Sequence, residues 1–175
     1  TGVQTCALPI YAFRRELGLP PIRRVAHWWH SPDGVVCLFP EWFAPARDDW
    51  PTPLAQTDFP LWNSGSERPL PAELTRFLEA GEKPLVFAPG SGNEHGREFF
   101  ETSLEVCRRL GRRSVLLTTF PDQVPGNLPR ESLYVPYAPF DQLLPRAEAL
   151  VHHGGVGTMS QAFLAGVPQF IRPLA

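Results

Sequence analysis

The chain runs Leu150-Val151-His152-His153-Gly154-Gly155-Val156-Gly157-Thr158-Met159-Ser160-Gln161, then Ala165-Gly166-Val167-Pro168 and a second apolar stretch from Gln169. Glycines at a strand-to-helix turn let the backbone approach a ligand closely. The unbonded N–H groups that open the following helix, with the positive end of its dipole, favour an anion. The chemistry implied is recognition of a phosphate or diphosphate. An imidazole N–H from His153 suits such an anion whether or not the ring is charged, although the same ring can serve as a helix cap or core side chain. His152 falls on the strand side of the turn and reads as structural. Gly155, Gly157 and Thr158 would offer backbone N–H groups and one hydroxyl, and they also meet the needs of a tight turn with an N-cap. Both uses can hold together. A second glycine loop, Pro89-Gly90-Ser91-Gly92-Asn93, has neither the spacing of a nucleoside-triphosphatase phosphate loop nor the GxGxxG of a dinucleotide fold. A nicotinamide site is therefore disfavoured. Glu94 and His95 beside it read as solvated residues at a helix start.

Positioning these groups requires a particular succession of elements. The spacing predicts a helix over 71–80 with Pro71 at its start and Gly81 after it, and a buried strand over 85–88 that ends in the first glycine loop. A helix over 94–110, a strand over 114–119 and a Pro-rich turn follow. Next come a strand over 133–137, a short helix over 140–145, a strand over 149–151, the second glycine turn, a helix to Ala165 and a strand over 169–173. Strands that are almost wholly apolar and alternate with helices imply a parallel sheet covered on both faces, a doubly wound α/β domain missing its last element. Ligands of such sheets bind beyond the carboxyl ends of the strands, where both glycine turns fall. The region before Leu70 is different, rich in Pro, Trp and Phe. It carries one short amphipathic helix over 11–17, stopped by Gly18 and Pro20-Pro21, and one good strand over 35–39. The rest, including 40–45 and Asn63-Ser64-Gly65-Ser66, reads as irregular connections and a linker.

Composition narrows the partners. With 43% hydrophobic and 19% charged residues among 175, the chain has an ordinary globular composition. A net charge of −2 speaks against a nucleic-acid partner, which needs a basic footprint. The pairs Arg23-Arg24 and Arg112-Arg113 read as solvated faces. Cys37 and Cys107 show no CxxC or Cys/His ligand spacing and read as small core residues in a reducing compartment, so a cytoplasmic location is expected. No apolar run approaches the ~20 residues that span a bilayer.

The stretch Tyr137-Ala138-Pro139-Phe140-Asp141-Gln142-Leu143-Leu144-Pro145, with His152 to Thr158 and Gly166-Val167-Pro168-Gln169, resembles the donor-binding signature of GT-B nucleotide-sugar glycosyltransferases. The likeness is to the bacterial rhamnosyltransferase, sterol-glucosyltransferase and antibiotic-glycosyltransferase group, related to UDP-glucuronosyltransferases. It is strong over 84–175 and weak over 11–70. The resemblance implies a partial GT-B fold: a Rossmann-like donor domain over 71–175 and, over 11–70, the end of an acceptor domain with its linker. It implies inverting transfer of a hexose from a UDP- or dTDP-sugar to a hydroxyl of a small-molecule, lipid or natural-product acceptor. No metal and no cofactor beyond the donor are implied, and the chain has no Asp-x-Asp motif. His153 takes the place of the family histidine that bonds the diphosphate. Gly90, Ser91 and Gly92 match the loop approaching the diphosphate from the other side. Tyr137 and Phe140 stand where the nucleobase lies, with stacking and core packing both open to them. Gln161 replaces the glutamate that many relatives direct at the ribose.

Residues 1–10 resemble a translated sequencing adapter and are expected to lie outside the fold as a non-native leader. The chain is expected to be a fragment cut at both ends and inactive by itself. The family's general base, a histidine early in the acceptor domain, is not matched by His27 or His30, which read as structural or interdomain-facing. Two other readings stay open on the sequence: a GT-B-fold sugar-nucleotide epimerase and a non-catalytic nucleotide-binding fragment.

Overall fold

A computed structural model describes residues 2–22, 31, 33–61, 69–92 and 96–173. The chain divides into two compact units, Thr1–Pro60 and Leu61–Ala175. His27, His30, Glu94, His95, Arg23-Arg24 and the 63–66 linker stretch lie outside the described residues.

The first unit opens with helix α1, Gly2–Glu16. The expected break between a leader and a helix over 11–17 is absent: one helix runs through both, and Pro9 removes a single backbone donor from its middle. Its C-terminus is closed where Gly18 takes φ +67° and Leu19 N–H donates to the Arg14 carbonyl at 2.9 Å. Strand β1, Val35–Cys37, is shorter than the expected 35–39, and it pairs in parallel with β2, Leu54–Gln56, where irregular chain is expected. Gln56 donates through Nε2 to the Ala44 carbonyl at 2.9 Å. Edge-to-face contacts link Phe39, Trp42, Phe43, Trp50 and Phe59 at 5.4–6.2 Å between centroids.

The second unit is a five-stranded parallel sheet. Its elements are α2 (Ala72–Glu79), β3 (Leu85–Ala88), α3 (Arg97–Leu110), β4 (Ser114–Leu117), β5 (Ser132–Val135), α4 (Phe140–Leu143), β6 (Ala149–His152), α5 (Val156–Ala165) and β7 (Gln169–Ile171). The strand order is β5-β4-β3-β6-β7. The chain therefore builds outward from β3 on one side, returns, and builds outward on the other. A reversal of that kind opens a crevice between β3 and β6 at their carboxyl ends.

Alternation along the strands supplies the two faces. Val86, Ala88, Val115, Leu117, Val135 and Leu150 pack with Leu74 and Leu78 of α2, Leu143 of α4 and Ala162 of α5. Phe87 and Leu116 point the other way, onto Phe99, Phe100 and Cys107 of α3. Helix α3 stops at Gly111, in the left-handed region at φ 62°, and α5 stops the same way at Gly166.

Several strand ends differ from expectation for local reasons. β4 stops at Leu117 because the Thr118 hydroxyl accepts the Phe120 N–H at 3.1 Å and bends the chain. β5 begins at Ser132, whose hydroxyl bonds that of Ser114 at 2.7 Å, and it ends before Pro136, which has no ladder donor. The expected helix over 140–145 is α4 followed by a 3-10 turn, Leu144–Arg146. Arg113 is more than a solvated charge, since its guanidinium lies 3.9 Å from the Phe77 ring centroid and donates to the Phe77 and Glu82 carbonyls.

Candidate donor site

Register brings the two glycine turns together. Ala88 of β3 sits opposite His152 of β6, so the residues just beyond them, around Gly90 and His153, emerge side by side. Gly90 takes φ +109°, a conformation L side chains rarely adopt. A Cβ built there would stand 2.7 Å from Cε1 and 2.9 Å from Nδ1 of His153. From the other side, a Cβ on Gly155 would stand 2.6 Å from Nε2 of the same ring. The His153 imidazole thus fills a slot whose two walls are backbone. Its Nδ1 is buried and has no hydrogen-bond partner among the described residues.

His152 is held differently. Its ring is fully buried, with Nε2 2.9 Å from Gln169 Oε1, and Nδ1 accepts the Gly154 N–H at 3.1 Å. Burial pushes its pKa below the ordinary 6.5, and the neighbouring His153 acts in the same direction, while the Gln169 bond opposes both.

Gly155 caps α5, and no side chain bonds the helix start. The first intrahelical donor is Met159, whose N–H reaches the Gly155 carbonyl at 3.0 Å. The N–H groups of Val156, Gly157 and Thr158 therefore face outward at the positive end of the helix.

Two cavities meet at this edge. One, of about 520 Å³, is lined by Gly90, Ser91, Gly92, His153, Gly155, Gly157 and Thr158 with Pro89. The other, of about 320 Å³, is lined by Tyr137, Phe140 and Gln161 together with Ala88, Leu117, Thr118, Thr119, Pro136, Ala138, Pro139 and Asp141. Gly90, Ser91 and Thr158 line both. Every residue the sequence put at the donor thus falls on one cavity or the other. Thr158 and Gln161 are three apart on α5 and share a face. Tyr137 is 46% exposed, whereas Phe140 also packs against the core. The Tyr137 and Phe140 rings offer a surface that a flat apolar group could meet, and the glycine turns offer bare backbone that anionic oxygens could approach.

Thr118, Thr119 and Asp141 were not singled out from sequence. The first two lie beyond the carboxyl end of β4, the sheet edge where such folds bind ligands, and that rule was the available signal. Asp141 lies inside the resemblance stretch itself. Among the described residues no cluster of His, Cys, Asp or Glu is arranged to hold a metal ion, and no helix is long and apolar enough to cross a membrane. Cys37 and Cys107 are free thiols, and burial raises the latter to about 11.

Residues 115–174 match the family model described as erythromycin biosynthesis protein CIII-like, C-terminal domain. The chain is 37% identical over 169 residues to O-mycaminosyltylonolide 6-deoxyallosyltransferase of Streptomyces fradiae, covering 93% of this chain and 38% of that protein. It is 34% identical over 161 residues to glycosyltransferase GtfC of Amycolatopsis orientalis, covering 91% and 38%. The solved structure of the glycotransferase of kitacinnamycin shares its fold, with a TM-score of 0.67 at 23% identity over 94% of this chain and 42% of that one. The chain spans about two fifths of the length of these two curated relatives.

Proposed function

This chain belongs to the GT-B glycosyltransferases, and from that membership we propose that it supplies the donor half of an inverting, metal-independent transferase. The protein containing it would move a hexose from a UDP- or dTDP-sugar to a hydroxyl of a small-molecule, natural-product or lipid acceptor. The observation that carries this reading is the pair of cavities joined at Gly90, Ser91 and Thr158. In it the base lies against Tyr137 in the apolar cavity, the ribose near Gln161, and the diphosphate before His153 and the start of α5.

Chemistry follows from that pose. The acceptor oxygen attacks the anomeric carbon, the bond from that carbon to the diphosphate oxygen breaks, and the electron pair stays on the leaving nucleoside diphosphate. Its growing charge faces the outward N–H groups of Val156, Gly157 and Thr158 and the His153 ring, preorganised donors that strengthen as charge develops. In this reading those donors do the work a cation does elsewhere. The acceptor proton passes to a general base that the proposal assigns to the part of the protein outside this chain. No cofactor beyond the donor is required. The free thiols of Cys37 and Cys107 support a reducing compartment such as the cytoplasm.

The test is calorimetric titration of UDP, dTDP, ADP and GDP into the chain, with and without EDTA. A pyrimidine nucleoside diphosphate should bind most tightly, with unchanged affinity in chelator. Purine preference, or loss of binding in EDTA, would refute the corresponding part of the proposal.

A further inference from the structure

The two nitrogens of His152 constrain each other. Gly154 N–H donates to Nδ1, so Nδ1 carries a lone pair. In a neutral imidazole the proton must then sit on Nε2 and be donated to Gln169 Oε1. Ile171 is the register partner of His152 and Leu150 that of Gln169, so the ring reaches diagonally from β6 to β7 at zero exposure. What this bond holds is the first residue after His153, a glycine at φ +97° whose added Cβ would stand 3.1 Å from Ile171. The contact is the imidazole counterpart of an Asx turn, a side-chain acceptor on the N–H two residues ahead. It sets the direction in which the chain leaves β6, and so the entry of the His153 ring into its slot between Gly90 and Gly155.

We infer that His152 and Gln169 are positioning residues for the donor diphosphate: Gln169 selects the His152 tautomer that ties down Gly154, and that tie aims His153 and the start of α5 at the anion. The inference rests on the donor-site reading above. It makes a distinction that a merely structural pair would not. Loss of either residue should weaken binding of the diphosphate while leaving the nucleoside, held in the neighbouring cavity, unaffected. Without Gln169 the buried Nε2–H loses its acceptor, and moving the proton to Nδ1 sets it against the Gly154 N–H.

Titrate UDP, dTDP, uridine and thymidine into the 175-residue chain and into His152→Leu, Gln169→Leu and His152→Asn. Both leucine variants should cut the preference for diphosphate over nucleoside by about 5- to 10-fold, a loss expected for one orienting hydrogen bond. Nucleoside affinity should stay within about twofold. His152→Asn keeps an oxygen acceptor in reach of Gly154 N–H and should recover most of the preference. An unchanged preference in folded leucine variants, or a parallel fall in nucleoside and nucleotide affinity, overturns the inference. Should a leucine variant fail to fold, the parent decides. Its His152 imidazole nitrogen shifts must report the Nε2–H tautomer and its Gly154 amide must resist hydrogen exchange before nucleotide is added; an Nδ1–H tautomer or a fast-exchanging amide overturns it. If the parent binds neither nucleotide, the donor-site reading itself has failed, a result separate from any of these.

Discussion

The two cavities that meet at Gly90 and Thr158 are built from different materials. In the larger, glycine backbone forms most of the wall and His153 is the one aromatic side chain among the described lining residues. In the smaller, Tyr137 and Phe140 stand among threonines, prolines and small apolar side chains. A wall of side chains can repack when one of them changes, because rotamers move at modest cost. A wall of glycine backbone has no such freedom, since the ring it holds already occupies the space a Cβ would need. The half that is proposed to hold the charged diphosphate should therefore tolerate less change than the half proposed to hold the base.

Gly90→Ala is expected to give the largest effect. The methyl group meets the His153 ring at 2.7 Å and forces an alanine into φ +109°. The ring is the movable party, so it leaves the slot, and the left-handed backbone adds strain of about 1–3 kcal/mol. UDP affinity should fall by roughly 100-fold, and the thermal midpoint should drop as well. A variant that binds UDP like the parent would show that the slot is not where the anion is read.

His153→Ala comes next, because it removes the donor but leaves both glycine turns unstrained. One hydrogen bond to a charged acceptor contributes about 1.5–3 kcal/mol, which corresponds to roughly 10- to 100-fold in nucleoside diphosphate affinity. Uridine affinity should not move. A fall in both would mean that the two cavities act as one.

Part of this contrast was legible in the sequence and part was not, and the division has a physical cause. The apolar runs at 85–88 and 149–151, the helical spacing over 71–80, and the Gly-Val-Pro stop after α5 are local signals, read from neighbours in the chain. The glycine turns were legible for the same reason. The slot around His153 was not, because it depends on the register of Ala88 against His152 across two strands far apart in sequence. The Gln169 bond was hidden likewise, and so were Thr118 and Thr119, which reach the site only once β4 is placed beside β3. In the first unit, β2 has three residues preceded by Pro51 and Pro53, too short a run to show a period. Helix α1 passes through Pro9, a residue whose local preference argues against it.

The side-chain-built cavity should respond more gently. Tyr137→Ala takes away a ring that is about half exposed, and a stacking face of this kind contributes about 0.5–1.5 kcal/mol. Uridine and UDP affinities should fall together by about 2- to 10-fold. If only UDP weakens, the ring belongs to the anion side and the assignment of the two cavities is reversed.

The smallest effect on binding is expected at Gly157, which separates two reasons for having a glycine in the polar cavity. Gly157 lines the same cavity as Gly90 and Gly155, yet a Cβ built on it meets nothing within 4 Å, and it lies in the first turn of α5 with ordinary helical geometry. Gly157→Ala keeps the outward N–H, displaces no ring, and replaces the residue with the greatest backbone freedom by a better helix former. It should raise stability by about 0.5–1 kcal/mol and leave UDP affinity within about threefold of the parent. Thermal melts and the same titration read both quantities from one sample. If UDP affinity drops as far as in Gly90→Ala, then what the polar cavity cannot spare is the close approach of phosphate to bare backbone along the helix start. The slot around His153 would then be one instance of that requirement and not its source.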